Sequence, residues 1–275
     1  MRTKPKKSLG QNFLFDKNIQ RKLIAACAFR PADTVLEIGA GYGAITGLIS
    51  QCVKQVFALE IDKELCRLLK EDFKDRPNVS IVNHDILTFN LSRQFAHENA
   101  KIKVIGNIPY YITSPIIAHL LKYRVSIGTI FLTVQKEFAR RLSAHPGSKV
   151  YGALSCFAQY YADVKILFDI KRASFSPAPN VDSSFVRLII RDQPAVHIDN
   201  ETLLFKIIRT AFNQRRKTLR NSLRAVVPQE KLLQFFTRRA LTPHIRPEEL
   251  SLQDFAALAN LLKSKKNLDK PALIV

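Results

Sequence analysis

The sequence predicts an α/β fold: a doubly wound parallel sheet with an antiparallel hairpin at one edge, followed by a small all-α domain. Three observations carry that prediction. Between residues 34 and 134 short β-branched runs alternate with stretches of helical spacing, the pattern of βαβ units whose strands are covered on both faces. Two later strand-like runs, 164–170 and 185–190, have no helix between them, so they pair antiparallel at a sheet edge across the Pro177/Pro179 loop. Beyond Arg191-Asp192-Gln193-Pro194 only helical patterns remain, which divides the chain into domains 1–192 and 193–275.

Taken in order, the parallel strands are Val35-Leu36-Glu37-Ile38, Val56-Phe57-Ala58-Leu59, Val79-Ser80-Ile81-Val82, Val104-Ile105 and Ile130-Phe131-Leu132. Helices at 43–51, 63–74 and 115–122 connect them. The C-terminal domain reads as helices at 201–224, 228–239 and 251–263, the last opened by Ser251 and Asp254 at capping-box spacing. Within 203–224, Leu204, Ile208, Phe212, Leu219 and Leu223 fall on one face, while Lys206, Arg209, Arg215, Arg216, Lys217, Arg220 and Arg224 bring positive charge with no acid among them. A solvated helix face is the plainer reading, but such charges repel one another without a counter-ion, which favours a phosphate-binding surface.

The whole-chain charge agrees. The 275 residues hold 43 Lys and Arg against 23 Asp and Glu, a net charge of +20, beyond what solubility asks of a domain this size and suited to nucleic acid. A hydrophobic content of 47% excludes a disordered chain, and 9 Gly with 13 Pro exclude a collagenous one. The cysteines at 27, 52, 66 and 156 form no Cys-x-x-Cys pair and have no His at zinc spacing, so neither a disulfide framework nor a metal is expected and a reducing cytoplasm fits. Residues 1–7 are basic without the apolar run of a signal peptide, and no stretch is long enough to span a bilayer.

Chemistry concentrates after the strands. Val35-Leu36-Glu37-Ile38-Gly39-Ala40-Gly41-Tyr42-Gly43 places three of the 9 glycines between a strand and a helix, where a tight turn lets a ligand approach the backbone. Glu60 ends the next strand about 20 residues on, where a carboxylate can accept both ribose hydroxyls of a nucleoside cofactor. The spacing Gly-x-Gly-x-Gly, with Glu37 before it and Asp85 after the third strand, favours S-adenosylmethionine over a dinucleotide, since no pyrophosphate needs a third glycine. Asn107-Ile108-Pro109-Tyr110 follows the fourth strand, on the edge where open α/β sheets bind ligands. An adenine amine is a poor nucleophile because its lone pair is conjugated into the ring. The Asn107 side-chain oxygen and the Ile108 carbonyl can accept both its hydrogens and bias the nitrogen toward sp3 geometry. Pro109 sets the backbone so that this carbonyl faces the pocket, and Tyr110 can stack on the base.

These motifs resemble the ribosomal RNA adenine dimethyltransferase family across nearly the whole chain. Ser8-Leu9-Gly10-Gln11-Asn12-Phe13-Leu14 resembles its N-terminal motif, the 36–43 glycine loop its cofactor loop and 107–110 its catalytic motif. Residues 175–183, starting at Phe175-Ser176-Pro177, resemble a second target-base loop, and 211–219 and 246–251 resemble pieces of its helical domain. The resemblance implies a class I methyltransferase Rossmann-like domain. It also implies that Asn12 and Leu14 join the cofactor site, Gly39 meets the methionine portion, Glu60 the ribose and Asp85 the adenine, and that Asn107 touches cofactor and target. Phe175, otherwise strand-end core, becomes the aromatic that sandwiches the flipped adenine opposite Tyr110. The expected RNA contacts are Arg215, Arg216, Lys217 and Arg220. The implied substrate is a pair of adjacent adenosines near the 3′ end of small-subunit (16S) RNA in an assembling 30S particle, acted on by a cytoplasmic monomer. Tyr111 stands where many relatives have Asn, and Ala40 and Tyr42 where Pro and Leu are common; none removes a named donor or acceptor.

Three other readings share parts of this pattern: a relative methylating one large-subunit adenine, an RNA-binding assembly factor without turnover, and a DNA adenine methyltransferase. The helical-domain and N-terminal matches oppose the first, and intact Gly39, Glu60, Asp85 and Asn107 the second. Preference for a pre-ribosomal particle over duplex DNA separates the third.

Overall fold

The computed structural model describes residues 5, 6, 9–98, 100–214 and 216–262. Ser8 of the N-terminal motif, Arg215 of the basic run and Lys263 at the end of the last expected helix lie outside them. The chain forms two compact units, one within 1–139 plus 165–190 and the other within 140–164 plus 191–274.

The first unit is built on a seven-stranded sheet ordered β4-β3-β2-β5-β6-β9-β7. Its strands are β2 (Thr34–Ile38), β3 (Gln55–Glu60), β4 (Val79–Asn83), β5 (Ile102–Asn107), β6 (Ile127–Gln135), β7 (Ala162–Ile170, in this unit from Lys165) and β9 (Ser183–Ile190). Pairing from β4 through β6 is parallel throughout, and β9 turns antiparallel against β6. The central strand β2 is buried at every position, Glu37 included, because helices cover both faces. Helices α1 (Lys17–Cys27), α2 (Thr46–Ile49), α3 (Lys63–Asp72), α4 (Leu91–Gln94) and α5 (Thr113–Lys122) supply that cover, and α6 (Lys136–Leu142) follows β6. The expected edge hairpin is met by β9 with β7 outermost beside it.

Two features depart from expectation. The helix expected over 43–51 contracts to the single turn α2. A helix not anticipated, α1, begins where Asp16 accepts from the N–H groups of Asn18 and Ile19 and ends at Ala28, which takes φ 47°. It covers the sheet through Leu23 and Cys27, which pack with Val35, Val56, Ile105 and Phe131. Just before it lies β1 (Phe13–Leu14), which pairs antiparallel with β8 (Phe175–Ser176) in register Phe13↔Ser176 and Leu14↔Phe175. That two-residue ladder joins the N-terminal motif to the 175–183 loop.

The second unit is helical: α7 (Ala153–Tyr161), α8 (Glu201–Phe212), α9 (Leu219–Leu223), α10 (Gln229–Arg238) and α11 (Leu252–Leu261). Residues 140–164 group here rather than with the sheet, whereas the sequence boundary stood after 192. The reason lies in α7, whose Phe157, Tyr160 and Tyr161 pack with Phe205 of α8 in edge-on and tilted contacts. The expected 201–224 helix is divided. Thr218 caps α9 by accepting from Asn221 N–H, and Leu219 N–H donates to Ile245 O at 2.8 Å, which fixes a new helix start. Leu204, Ile208, Phe212, Leu219 and Leu223 are all buried, on two helices instead of one face. Ser251 caps α11 as expected, with its hydroxyl accepting from Asp254 N–H at 3.1 Å and Asp254 Oδ2 from Ser251 N–H at 2.9 Å.

Candidate active site

Strand β2 has parallel neighbours on both sides, β3 and β5, whose connections leave in opposite directions along the sheet. The crevice beyond the carboxyl ends at such a point is where α/β sheets bind ligands. The glycine turn follows β2, Glu60 ends β3, Asp85 follows β4 and Asn107 ends β5. They line one cleft, partly open to solvent, together with Asn12, Ile108, Pro109 and Tyr110. A second cavity shares Phe13, Gly39, Gly41 and Asn107 with it and adds Leu14, Glu37, Tyr42 and Ser176.

The turn is shaped by close approach. Gly41 has φ +59°, and a Cβ there would stand 3.1 Å from the Phe13 ring, so glycine lets the N-terminal arm pack directly on the loop. Phe13 also meets Tyr42 with ring centroids 4.6 Å apart. Gly39 N–H donates to Leu59 O at 2.8 Å, tying the turn to the β3 end.

Glu60 is 6% exposed and accepts from Gly41 N–H at 2.9 Å and Asp62 N–H at 3.0 Å, one on each oxygen. Burial pushes its carboxyl up, and those N–H groups pull it back. A carboxylate has about four acceptor directions, so both oxygens retain capacity for a ligand's hydroxyls. Glu37, one strand over, is fully enclosed; burial raises its carboxyl to about 8, a hydrogen bond from Thr46 opposes the rise and Glu60 adds to it. Thr46 Oγ1 donates to Glu37 Oε2 at 2.5 Å. Asp85 is half-buried and fixed by Leu87 N–H donating to Oδ1 at 2.9 Å.

Asn107 is oriented from across the cleft. Its Nδ2 donates to the Asn12 carbonyl at 2.9 Å. A carbonyl can only accept, so the amide nitrogen must face it and Oδ1 takes the opposite side. Tyr110 is fixed at its far end, Oη standing 2.6 Å from Ser183 Oγ at the start of β9, and burial raises its phenol while Ser183 partly opposes the shift.

Asn12, Gly39, Glu60, Asp85, Asn107, Ile108, Pro109 and Tyr110 are therefore brought together, and Leu14 borders the adjoining cavity with its carbonyl accepting from Gln20 Nε2 at 2.7 Å. Phe175 is not brought to the cleft. Alternation along β8 turns it inward at 2% exposure, among Leu14, Val35 and Phe185, and turns Ser176 toward the second cavity. Arg216, Lys217 and Arg220 are exposed in the helical unit. Sequence reasoning gave no role to Asp62, whose N–H holds Glu60, or to Ser183, which holds Tyr110; Asp62 carried one signal, a helix-cap residue just before a helical run. Among the described residues no three His, Cys, Asp or Glu side chains converge to hold a metal, the cysteines are unbridged, and no helix is long and apolar enough to cross a membrane.

Comparisons with known proteins bear on this site. A family model described as ribosomal RNA adenine dimethylase matches residues 2–264. Ribosomal RNA small subunit methyltransferase A of Streptococcus sanguinis (strain SK36) is 41% identical over 268 residues, covering 94% of this chain and 92% of its own. The protein of the same name from Streptococcus pneumoniae serotype 2 gives the same identity and coverage, 41% over 268 residues with 94% and 92%. Among solved structures, a dimethyladenosine transferase from Plasmodium falciparum aligns with TM-score 0.77 at 26% identity, covering 90% of this chain and 95% of that one. The 23S rRNA methyltransferase ErmE aligns with TM-score 0.72 at 25% identity, covering 91% and 99%.

Proposed function

The chain belongs to the ribosomal RNA adenine dimethylase family, and from that premise we propose that its cleft methylates the exocyclic amines of two adjacent adenosines near the 3′ end of 16S RNA, as part of small-subunit biogenesis. It is an S-adenosylmethionine-dependent enzyme that dimethylates adenosines of small-subunit ribosomal RNA, and its sheet unit has the class I methyltransferase Rossmann-like fold.

The residues present fit the cofactor. Glu60 offers two oriented oxygens for ribose hydroxyls, Asp85 an acceptor for an adenine amine, the Gly39–Gly41 turn a bare backbone for the methionine end, and Leu59, Ile86 and Ile108 apolar walls. When bound, S-adenosylmethionine supplies an electrophilic methyl group. The chain's own work is positioning. Asn107 Oδ1 and the Ile108 carbonyl accept the two amine hydrogens, which biases the nitrogen toward sp3 geometry and frees its lone pair from conjugation with the ring. Tyr110 stacks on the base with its hydroxyl held by Ser183. Rate comes from orientation and exclusion of water, without a strong base. Arg216, Lys217 and Arg220, with Arg215, are the proposed RNA contacts of the C-terminal domain. The proposed substrate form is an assembling 30S particle and the proposed enzyme a cytoplasmic monomer.

The observation that supports this reading most is the Asn107–Asn12 hydrogen bond of 2.9 Å, because it gives the amide oxygen a defined direction. Asn107→Ala should lower methyl incorporation from tritiated cofactor by about 10²-fold or more while RNA binding persists. Incorporation near the wild-type rate refutes the assignment.

A further inference from the structure

The N-terminal arm is tied to one wall of the cleft by charges that the transfer reaction does not use. Lys6 Nζ lies 2.9 Å from Asp62 Oδ1 and 3.2 Å from Glu64 Oε2. Gln11 Nε2 donates to the other Asp62 oxygen at 3.3 Å, and Lys6 N–H donates to Gln11 Oε1 at 2.7 Å. The Asp62 side chain is 2% exposed and that of Lys6 40%. Burial opposes ionisation of Asp62, yet Lys6, the Glu64 N–H and Gln11 together hold it below the usual carboxylate range.

Asp62 faces both ways. Its carboxylate caps α3 by accepting from Glu64 N–H at 3.0 Å, and its own N–H holds Glu60 Oε1 at 3.0 Å. Helix capping accounts for the bond to Glu64 alone. It does not account for two arm side chains meeting on one buried carboxylate, two residues from Glu60 and hydrogen-bonded to it through the Asp62 N–H. Beyond this junction Leu9 to Phe13 line the same cleft as Glu60.

We propose that Lys6, Gln11 and Asp62 form a clasp that closes the arm over bound S-adenosylmethionine, with Asp62 the positioning residue that couples closure to the Glu60 carboxylate. This rests on the cofactor reading above. Because Lys6 reaches water, the clasp weakens with salt, and cofactor retention weakens with it.

The test is S-adenosylmethionine binding to the full chain by calorimetry and stopped flow, for wild type, Lys6→Met, Asp62→Asn and the double variant. Asparagine still caps a helix. Each single change should raise Kd about five- to tenfold through faster dissociation, and the double change no further than the worse single one. Turnover at saturating cofactor should stay within about twofold while the cofactor KM rises. Added salt should loosen wild type more than Lys6→Met. If Asp62→Asn also lowers Tm, Lys6→Met and its salt response decide. Variants that hold the cofactor as wild type does, or singles that add as independent sites, overturn the clasp. Wild type failing to bind S-adenosylmethionine overturns the cofactor reading instead.

Discussion

The cleft and the basic residues of the helical unit present their polar groups in opposite ways. In the cleft, polar groups are few, buried or half-buried, and individually fixed: Glu60 by two N–H groups, Asn107 by a carbonyl, Tyr110 by Ser183. In the helical unit, Lys206, Arg209, Arg216, Lys217 and Arg220 are exposed, and the apolar residues between them make the core. The difference teaches that reacting one methyl with one nitrogen needs direction, which only burial and hydrogen bonds supply. Holding a long polyanion needs charge, which solvated side chains supply with little geometry.

Isosteric changes sharpen that contrast. Glu60→Gln keeps shape but places an NH2 group against Gly41 N–H or Asp62 N–H, so cofactor affinity by calorimetry should fall about tenfold to a hundredfold; an unchanged Kd would show that charge and acceptor count at this position are irrelevant. Replacing Arg216, Lys217 and Arg220 with Gln should cost several-fold in RNA affinity at moderate salt and reduce the slope of log K against log salt by about 2 to 3. An unaltered slope would show that these cations are merely solvated. The third change concerns stability. The folded carboxyl of Glu37 is raised to about 8 from 4.5, so the folded state binds the proton more tightly. Its contribution is complete below the unfolded value and is lost as pH rises through about 8. Wild type should therefore lose on the order of a few kcal/mol more than Glu37→Gln between about pH 4.5 and 8, read as diverging melting curves. Parallel curves would mean the acid ionises freely.

How much of this was readable in the residues follows from the same contrast. The parallel strands announce themselves as short, mostly apolar β-branched runs, because a sheet covered by helices buries most of its side chains, and Glu60, Asp85 and Asn107 sit at or just past their ends, where α/β sheets bind ligands. Asn12 carried no such signal. Its part in orienting Asn107 is played by a backbone carbonyl, which every residue has, so only family resemblance pointed there. The inward placement of Phe175 was hidden for a related reason: its direction depends on a two-residue pairing with Leu14, far away in sequence and too short to leave a periodic trace. The break between α8 and α9 was hidden because Thr218 acts as a cap only once the chain near Ile245 receives the Leu219 N–H. Local chemistry was legible; contacts made across long sequence distances were not.

In the proposed reaction the Asn107 amide, held by the Asn12 carbonyl, directs methyl transfer to adenosines of small-subunit RNA. Mass spectrometry of that RNA, from cells lacking the gene and supplied with wild type or with Asn107→Ala, tests it most directly. Dimethyladenosine should be lost without the gene, return with wild type and stay absent with Asn107→Ala. Full dimethylation restored by Asn107→Ala, or dimethyladenosine unaffected by loss of the gene, would contradict it.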